Sequence, residues 1–372
     1  MTVLKKIIAL VLLLALASLI VACASSTPST TTTSANAVIT TPQNNVTTTG
    51  AVTTAPQTPT EPSGEFDENN ITFSFGALSD IHLTGNATKT EKFLSAITQL
   101  KSLASKNDAD GLDALAIAGD IADTGLLSEA KIFANEIKKS GIKTVMLTTG
   151  NHDVYGSTRV ANLSTYKSLM EDKHFAVDTD DSMIDKGARH CVVGDYHFFF
   201  IEPYTYGNDC PFDKNVVNWL DSSLEKVTKE NPNAYVFVFT HPMIENTCYG
   251  SDLSDGFWYT TSLTKTLSKY PQVMTFSGHL HFPINDERSI MQNNFTALGC
   301  GSVSHLATER GYSNMASETT PKDSSSVSSG LLVQIDVNGN IRITRADFSN
   351  KSTFKEAWEL SYPKDDKSHL EK

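Results

Sequence analysis

Cysteine is scarce in this chain, five in 372 residues, which rules out the dense disulfide framework that holds small secreted domains together. Positive charge is also short: 30 Lys and Arg stand against 42 Asp and Glu, a formal net charge of −12. That balance argues against a broad basic face for gripping nucleic acid or anionic headgroups. No apolar run outlasts residues 7–21, which is less than the roughly 20 residues a membrane-spanning helix needs. Over residues 24–64 large apolar side chains are almost missing, and Thr, Ser, Pro, Ala and Asn take their place. Such a stretch buries too little surface to offset the entropy of ordering and is expected to be an extended, disordered tether. No internal repeat is visible.

What is present begins at the N-terminus. Lys5 and Lys6, the apolar run and a small residue before Cys23 form the three regions of a secretory signal peptide. Leu19-Ile20-Val21-Ala22-Cys23 resembles the bacterial lipobox, which implies that Cys23 is acylated and becomes the first residue of the mature chain. Loss of residues 1–22 removes two lysines and takes the net charge to about −14, so acyl chains rather than charge would hold the protein at the extracytoplasmic face of a membrane. Four cysteines remain. An exported setting permits one bridge, and Cys210 and Cys248, both in predicted loops, are the pair expected to form it.

The expected organisation is a signal peptide over residues 1–22, a lipidated Cys and tether over 23–70, a catalytic domain over 71–350 and a polar tail over 351–372. Within the domain, apolar strands over 73–78, 114–118 and 144–149 alternate with helices. One helix carries Phe93, Ile97 and Leu100, and the next carries Ala130, Phe133 and Ile137 before a stop at Gly141. Alternation of this kind predicts βαβ units on a largely parallel sheet. Further strands are expected over 191–201, 235–240 and 273–276, a helix around 164–171 and a hairpin over 331–348. The Ser-rich residues 301–330 are expected to be a mobile excursion.

Five strand ends carry residues of one chemical kind: Asp80 and His82, then Asp120, then Asn151, His152 and Asp153, then His241, then His279 and His281. Any one of them reads as a cap or a satisfied loop histidine. Carboxylate, imidazole and amide together at every strand end instead suit borderline divalent metals. Asp80 and His82 are two apart, as are His279 and His281, so in an extended segment each pair points to one side. Gly150 is expected to let the backbone turn sharply there.

Asp80-Ile81-His82, Gly119-Asp120-Ile121-Ala122-Asp123, Gly150-Asn151-His152-Asp153, His241 and Gly278-His279-Leu280-His281 resemble, in order, the motif blocks of the calcineurin-like metallophosphoesterase family. The resemblance implies an α/β sandwich of two central mixed β-sheets flanked by helices. It also implies two metal ions drawn from Mn, Fe and Zn. Asp80, His82 and His281 would bind one and Asn151, His241 and His279 the other, with Asp120 bridging. A metal-bridging hydroxide would attack a phosphate mono- or diester. His152 would face the leaving group, oriented by Asp153. The family's tyrosine-ligated purple enzymes have Tyr where this chain has Asp123, which speaks against an iron–tyrosinate pair and leaves Asp123 as a carboxylate behind the ligands or a turn residue.

Tyr204, Tyr206, Tyr249, Phe257 and Trp258 follow active-site strands and are candidates to stack on a base or sugar; His305, Arg310 and Arg159 are candidates to contact a phosphate, with solvation the favoured reading. The partners implied are a small phosphate ester and, through the lipid, a membrane, with no nucleic acid. A surface lipoprotein that binds a solute or wall component without catalysis is the rival reading.

Overall fold

A computed structural model describes residues 65–105, 111–154, 161–170, 178–207, 209–252, 258–306 and 324–360. The expected signal peptide, Cys23, the tether up to residue 64, Arg159, Phe257 and Arg310 lie outside the described residues, as does the chain after residue 360. Among the described residues no helix is long and apolar enough to cross a membrane.

Two sheets carry the fold. The first is built on β1 (Ile71–Leu78), β2 (Ala114–Ala118) and β3 (Thr144–Thr148), parallel and in that order. Beyond β1 it continues antiparallel through β13 (Ser329–Asp336) and β14 (Ile341–Asp347), and β14 pairs both β15 (Ser352–Thr353) and β16 (Trp358–Leu360). The expected tail therefore does not start at 351: residues 352–360 extend the first sheet. The helices α1 (Ala87–Ala104), α2 (Leu127–Ser140) and α4 (Leu163–Leu169) close its outer face through Phe93, Ile97, Leu100, Phe133, Ile137 and Tyr166. Between β3 and α4 a single turn, α3 (Asn151–Val154), holds the third motif block.

The second sheet starts with the hairpin β5 (Ala188–Val193) and β6 (Tyr196–Ile201), with β4 (Asp178–Asp180) on its edge. A single strand over 191–201 was the expectation; Gly194, at φ 59°, instead turns the chain back. Next to β6 lie β7 (Tyr235–Phe239), β10 (Val273–Ser277) and β12 (Thr296–Gly299), all parallel, with β11 (Ile290–Gln292) last. The amphipathic helix α5 (Lys214–Glu230) and the short α6 (Thr264–Leu267) cover this sheet from outside. A two-stranded pair, β8 (Met243–Ile244) with β9 (Tyr259–Thr260), sits beyond β7.

The inner faces of the sheets share one core. Phe75 of β1 packs against Phe198, Phe237, Phe239 and Phe276 of the second sheet, with ring centroids 5.0–6.4 Å away. Edge-to-face contacts of this kind add about 0.5–1.5 kcal/mol each to the gain from burial. β2 and β7 are buried on both faces, which is why they read as unbroken apolar runs rather than alternating ones. Because β1, β2, β3, β7 and β10 are fixed by this core, their carboxyl ends are brought together at one edge of the sandwich.

Candidate metal centre

The five motif blocks meet at that edge. Asp80, His82, Asp120 and His281 form one group whose ligand atoms all lie within 4.8 Å of one another, and Asp120, His241 and His279 form a second within the same limit. Asp120 belongs to both. Its Oδ2 is 3.6 Å from His82 Nε2 and 3.3 Å from His241 Nε2, while its Oδ1 accepts from the His152 backbone N–H. Asn151 joins the second group: its Oδ1 lies 3.2 Å from His241 Nε2.

These side chains are not aimed by extended backbone. Asp80, His82, Asp120, His279 and His281 have φ between 49° and 70°, the left-handed region that non-glycine residues rarely occupy. The two-residue spacing therefore works through left-handed turns rather than strand alternation. Backbone bonds between the first two blocks hold this conformation: Asp80 N–H donates to Gly119 O, and Ile81 and His82 N–H both donate to Asp120 O. Strain of this kind persists only where surrounding contacts over-determine it, and it concentrates at functional sites.

Gly150 serves a different purpose from the one expected. It lacks a positive φ, and a Cβ there would lie 2.1 Å from Asp120 Oδ1. The glycine lets the third block pass close over the shared carboxylate.

Three imidazoles have their tautomers set from behind. His241 Nδ1 lies 2.7 Å from Ala118 O, His281 Nδ1 lies 3.0 Å from His305 O, and His82 Nδ1 lies 3.0 Å from Asp123 Oδ1. Each of those oxygens only accepts, so each Nδ1 carries a proton and in the neutral ring Nε2 is the atom left with the lone pair. The lone pairs converge on other acceptors. His82 Nε2 and His281 Nε2 are 3.1 Å apart, and Asp80 Oδ1 is 2.9 Å from His281 Nε2 yet receives no hydrogen bond although it is buried. A buried set of acceptors facing one another is stable only around positive charge.

The titration behaviour carries the same demand. Burial alone would raise Asp80, but the imidazoles of His281 and His241 bring it down to about 2. Burial would lower His241, but Asp120 and Asp80 outweigh it and raise the ring to about 9. The donor set of carboxylate, imidazole and amide thus fits a pair of borderline divalent ions.

The profile of the calcineurin-like phosphoesterase family matches residues 73–283, which take in every residue of both groups. The chain belongs to that family. The family implies a pair of metal ions. No curated protein matches the chain in sequence. Among solved structures, the purple acid phosphatase from yellow lupin (Lupinus luteus) seeds is similar in fold, with a TM-score of 0.52 at 14% identity. The similarity covers 80% of this chain and 55% of that one, so this chain spans little more than half of the lupin protein.

Within this family member the surroundings of His152 depart from the sequence reading. Its Nδ1 lies 2.7 Å from the backbone carbonyl of Asp123, and its ring stands edge-on to His82 at 4.5 Å. Asp153 does not orient it. The Asp153 carboxylate turns away and accepts from the N–H groups of Ile121, Ala122 and Gly150 and from the Tyr166 hydroxyl. A carboxylate fully buried behind a turn is there to satisfy that turn's exposed donors. Asp123 proves to be both of the things considered for it, a turn residue whose carbonyl holds His152 and a carboxylate that holds His82.

Other residues enter that the pattern did not flag. Serines from the expected excursion are buried in the site's wall: Ser302 Oγ donates to Asp80 O, Ser304 N–H also donates to Asp80 O, and Lys89 donates to Ser304 Oγ at 2.7 Å. His305 is half-buried rather than solvated, its ring 4.3 Å from that of His281. Of the candidate stacking residues, Tyr206 and Trp258 reach the second group, whereas Tyr249 is buried against Phe282 with Arg288 over its ring, and Tyr204 is 78% exposed. The expected Cys210–Cys248 bridge is not formed. Cys248 packs in the apolar cluster under α5, and Cys210 Sγ faces Gly207 O at 3.8 Å.

Proposed function

We propose that this protein hydrolyses a small phosphate mono- or diester outside the cytoplasm, tethered to the membrane through acylated Cys23. Asp80, His82 and His281 would hold one metal, Asn151, His241 and His279 the other, and Asp120 both. The observation that carries this reading is the inward convergence of Nε2 lone pairs and carboxylate oxygens with their protons pinned outward. When bound, such a metal pair supplies a nucleophile from water at neutral pH and offsets charge on the phosphoryl oxygens.

The chain's own residues do the rest. Asp120, fixed by the His152 N–H, keeps the two groups in register. His152 has Nδ1–H committed to Asp123 O, so the leaving oxygen would take its proton from Nε2 of the doubly protonated ring, which then returns to the neutral Nδ1–H form. The left-handed turns hold the ligands before any ion arrives, which lowers the ordering cost of binding. Export and lipidation are supported by the basic n-region, the short apolar run and Cys23 directly after Ala22.

The test is to strip the purified full chain of metal, reload it with Mn, Zn or Fe, and assay p-nitrophenyl phosphate beside bis(p-nitrophenyl) phosphate. Metal-dependent turnover abolished by Asp120→Asn is the expected result. Failure to bind metal under every loading would overturn the reading and favour a solute-binding lipoprotein.

A further inference from the structure

The two ends of the site are chemically unlike. Around His82 and His281 stand hydrogen-bonding side chains. His152 lies edge-on to His82, His305 lies beside His281, and Lys89 is 2.7 Å from Ser304 Oγ and 3.9 Å from Asp123 Oδ1. Around His241 and His279 stand aromatic rings. Trp258 has its ring centroid 5.1 Å from that of His279, and Tyr206 is 6.0 Å from both His241 and His279.

Both rings are held by backbone belonging to the motif segments. The Tyr206 hydroxyl donates to Thr149 O, next to the third block. Trp258 directly precedes β9, whose Tyr259 pairs with Met243 two residues after His241. Tyr206 is buried, with its hydroxyl committed, and so backs the wall; Trp258 is half-buried and keeps surface toward solvent.

Resting on the phosphoesterase reading above, we infer that the Trp258 end of the site is a subsite for a planar aromatic substituent, the non-leaving ester group of a phosphodiester. A leaving oxygen needs a proton donor, and His152 supplies one at the opposite end. A substituent that stays on phosphorus needs only a surface to rest on, and an aryl ring or nucleobase gains most from an aromatic one. The bond that breaks is the P–O bond at the His152 end, water supplies the oxygen that replaces it, and the planar group remains on the monoester product.

The metal-loaded full chain and its Trp258→Ala and Trp258→Phe variants decide this with three esters that share the p-nitrophenolate leaving group. These are bis(p-nitrophenyl) phosphate, methyl p-nitrophenyl phosphate and p-nitrophenyl phosphate. Trp258→Ala should lower the kcat/KM ratio of the bis-aryl to the methyl ester about tenfold, mainly through KM, and Trp258→Phe should retain most of it. The monoester, with no second substituent, should follow the methyl ester. An unchanged ratio, or a monoester that falls as far as the bis-aryl ester, would overturn the subsite while leaving the phosphoesterase standing. No turnover of any ester by the parent with two metals bound would take both readings down.

Discussion

Past the ends of β1, β2 and β3 the first sheet delivers Asp80, His82, Asp120, Asn151 and His152, whereas past β7 and β10 the second delivers the three imidazoles His241, His279 and His281. The first half alone would place two carboxylates together, the second three imidazoles, of which His241 and His279 lie 4.8 Å apart. Only their meeting makes a set of donors with balanced charge and preset lone pairs. The sandwich core joins the sheets at some distance, and the site joins them again at the edge. Metal removal should therefore lower the Tm of the whole domain, because binding to the folded state alone adds RT ln(1 + [L]/Kd) to its stability.

The sharpest break in this arrangement is Asp120→Asn. It leaves the His152 N–H contact sterically possible but withdraws the charge shared by both groups. Loss of several kcal/mol of charge stabilisation, at 1.36 kcal/mol per tenfold, predicts a fall in kcat/KM on the order of 10⁴-fold. Metal content measured on the same samples should fall with it. His152→Ala tests the other kind of residue from the first sheet. It should keep both metals and lose about 10²–10⁴-fold in kcat, the usual share of a general acid. A variant that lost its metals would show that His152 is a ligand instead.

The strands were legible because burial on both faces leaves runs such as Ala114–Ala118 and Tyr235–Phe239 with no polar interruption. The ligand types at their ends were legible because carboxylate and imidazole have few reasons to recur there together. Their geometry was not. Asp80, His82 and Asp120 adopt left-handed backbone without being glycine, held by tertiary hydrogen bonds that no local pattern records. Residues 302–305 read as part of a mobile excursion because serine is common in loops, yet Ser302 Oγ donates to Asp80 O across the site and Ser304 Oγ accepts from Lys89. Strands β15 and β16 are too short for periodicity to reveal.

Asp153 separates a catalytic from a structural role within one motif block. Its carboxylate accepts three backbone N–H groups and the Tyr166 hydroxyl, all buried. Asp153→Asn replaces one acceptor oxygen by a donor and leaves at least one of these groups unpaired. The expected cost is about 3 kcal/mol of stability in the metal-free protein, read by urea titration. A carboxylate that oriented His152 would instead lower kcat and spare the unfolding midpoint.

The smallest effect compares imidazoles within the second sheet. His241 faces the carboxylates of the first sheet and is raised to about 9, but His190, stacked on Phe199 and 3.0 Å from His197, forms no ion pair with a carboxylate among the described residues. Burial, then the neighbouring His197, lowers His190 from 6.5 to about 4, against a weaker pull from Asp180. The unfolded chain therefore takes up this proton first as pH falls. The stability that neutral His190 contributes is complete above pH 6.5 and is lost progressively toward pH 4. His190→Gln cannot take up that proton, so its Tm should fall less than the parent's across this window and run parallel to it above. Equal slopes for the two proteins would mean that contact with the carboxylates is not what divides the histidines of this sheet.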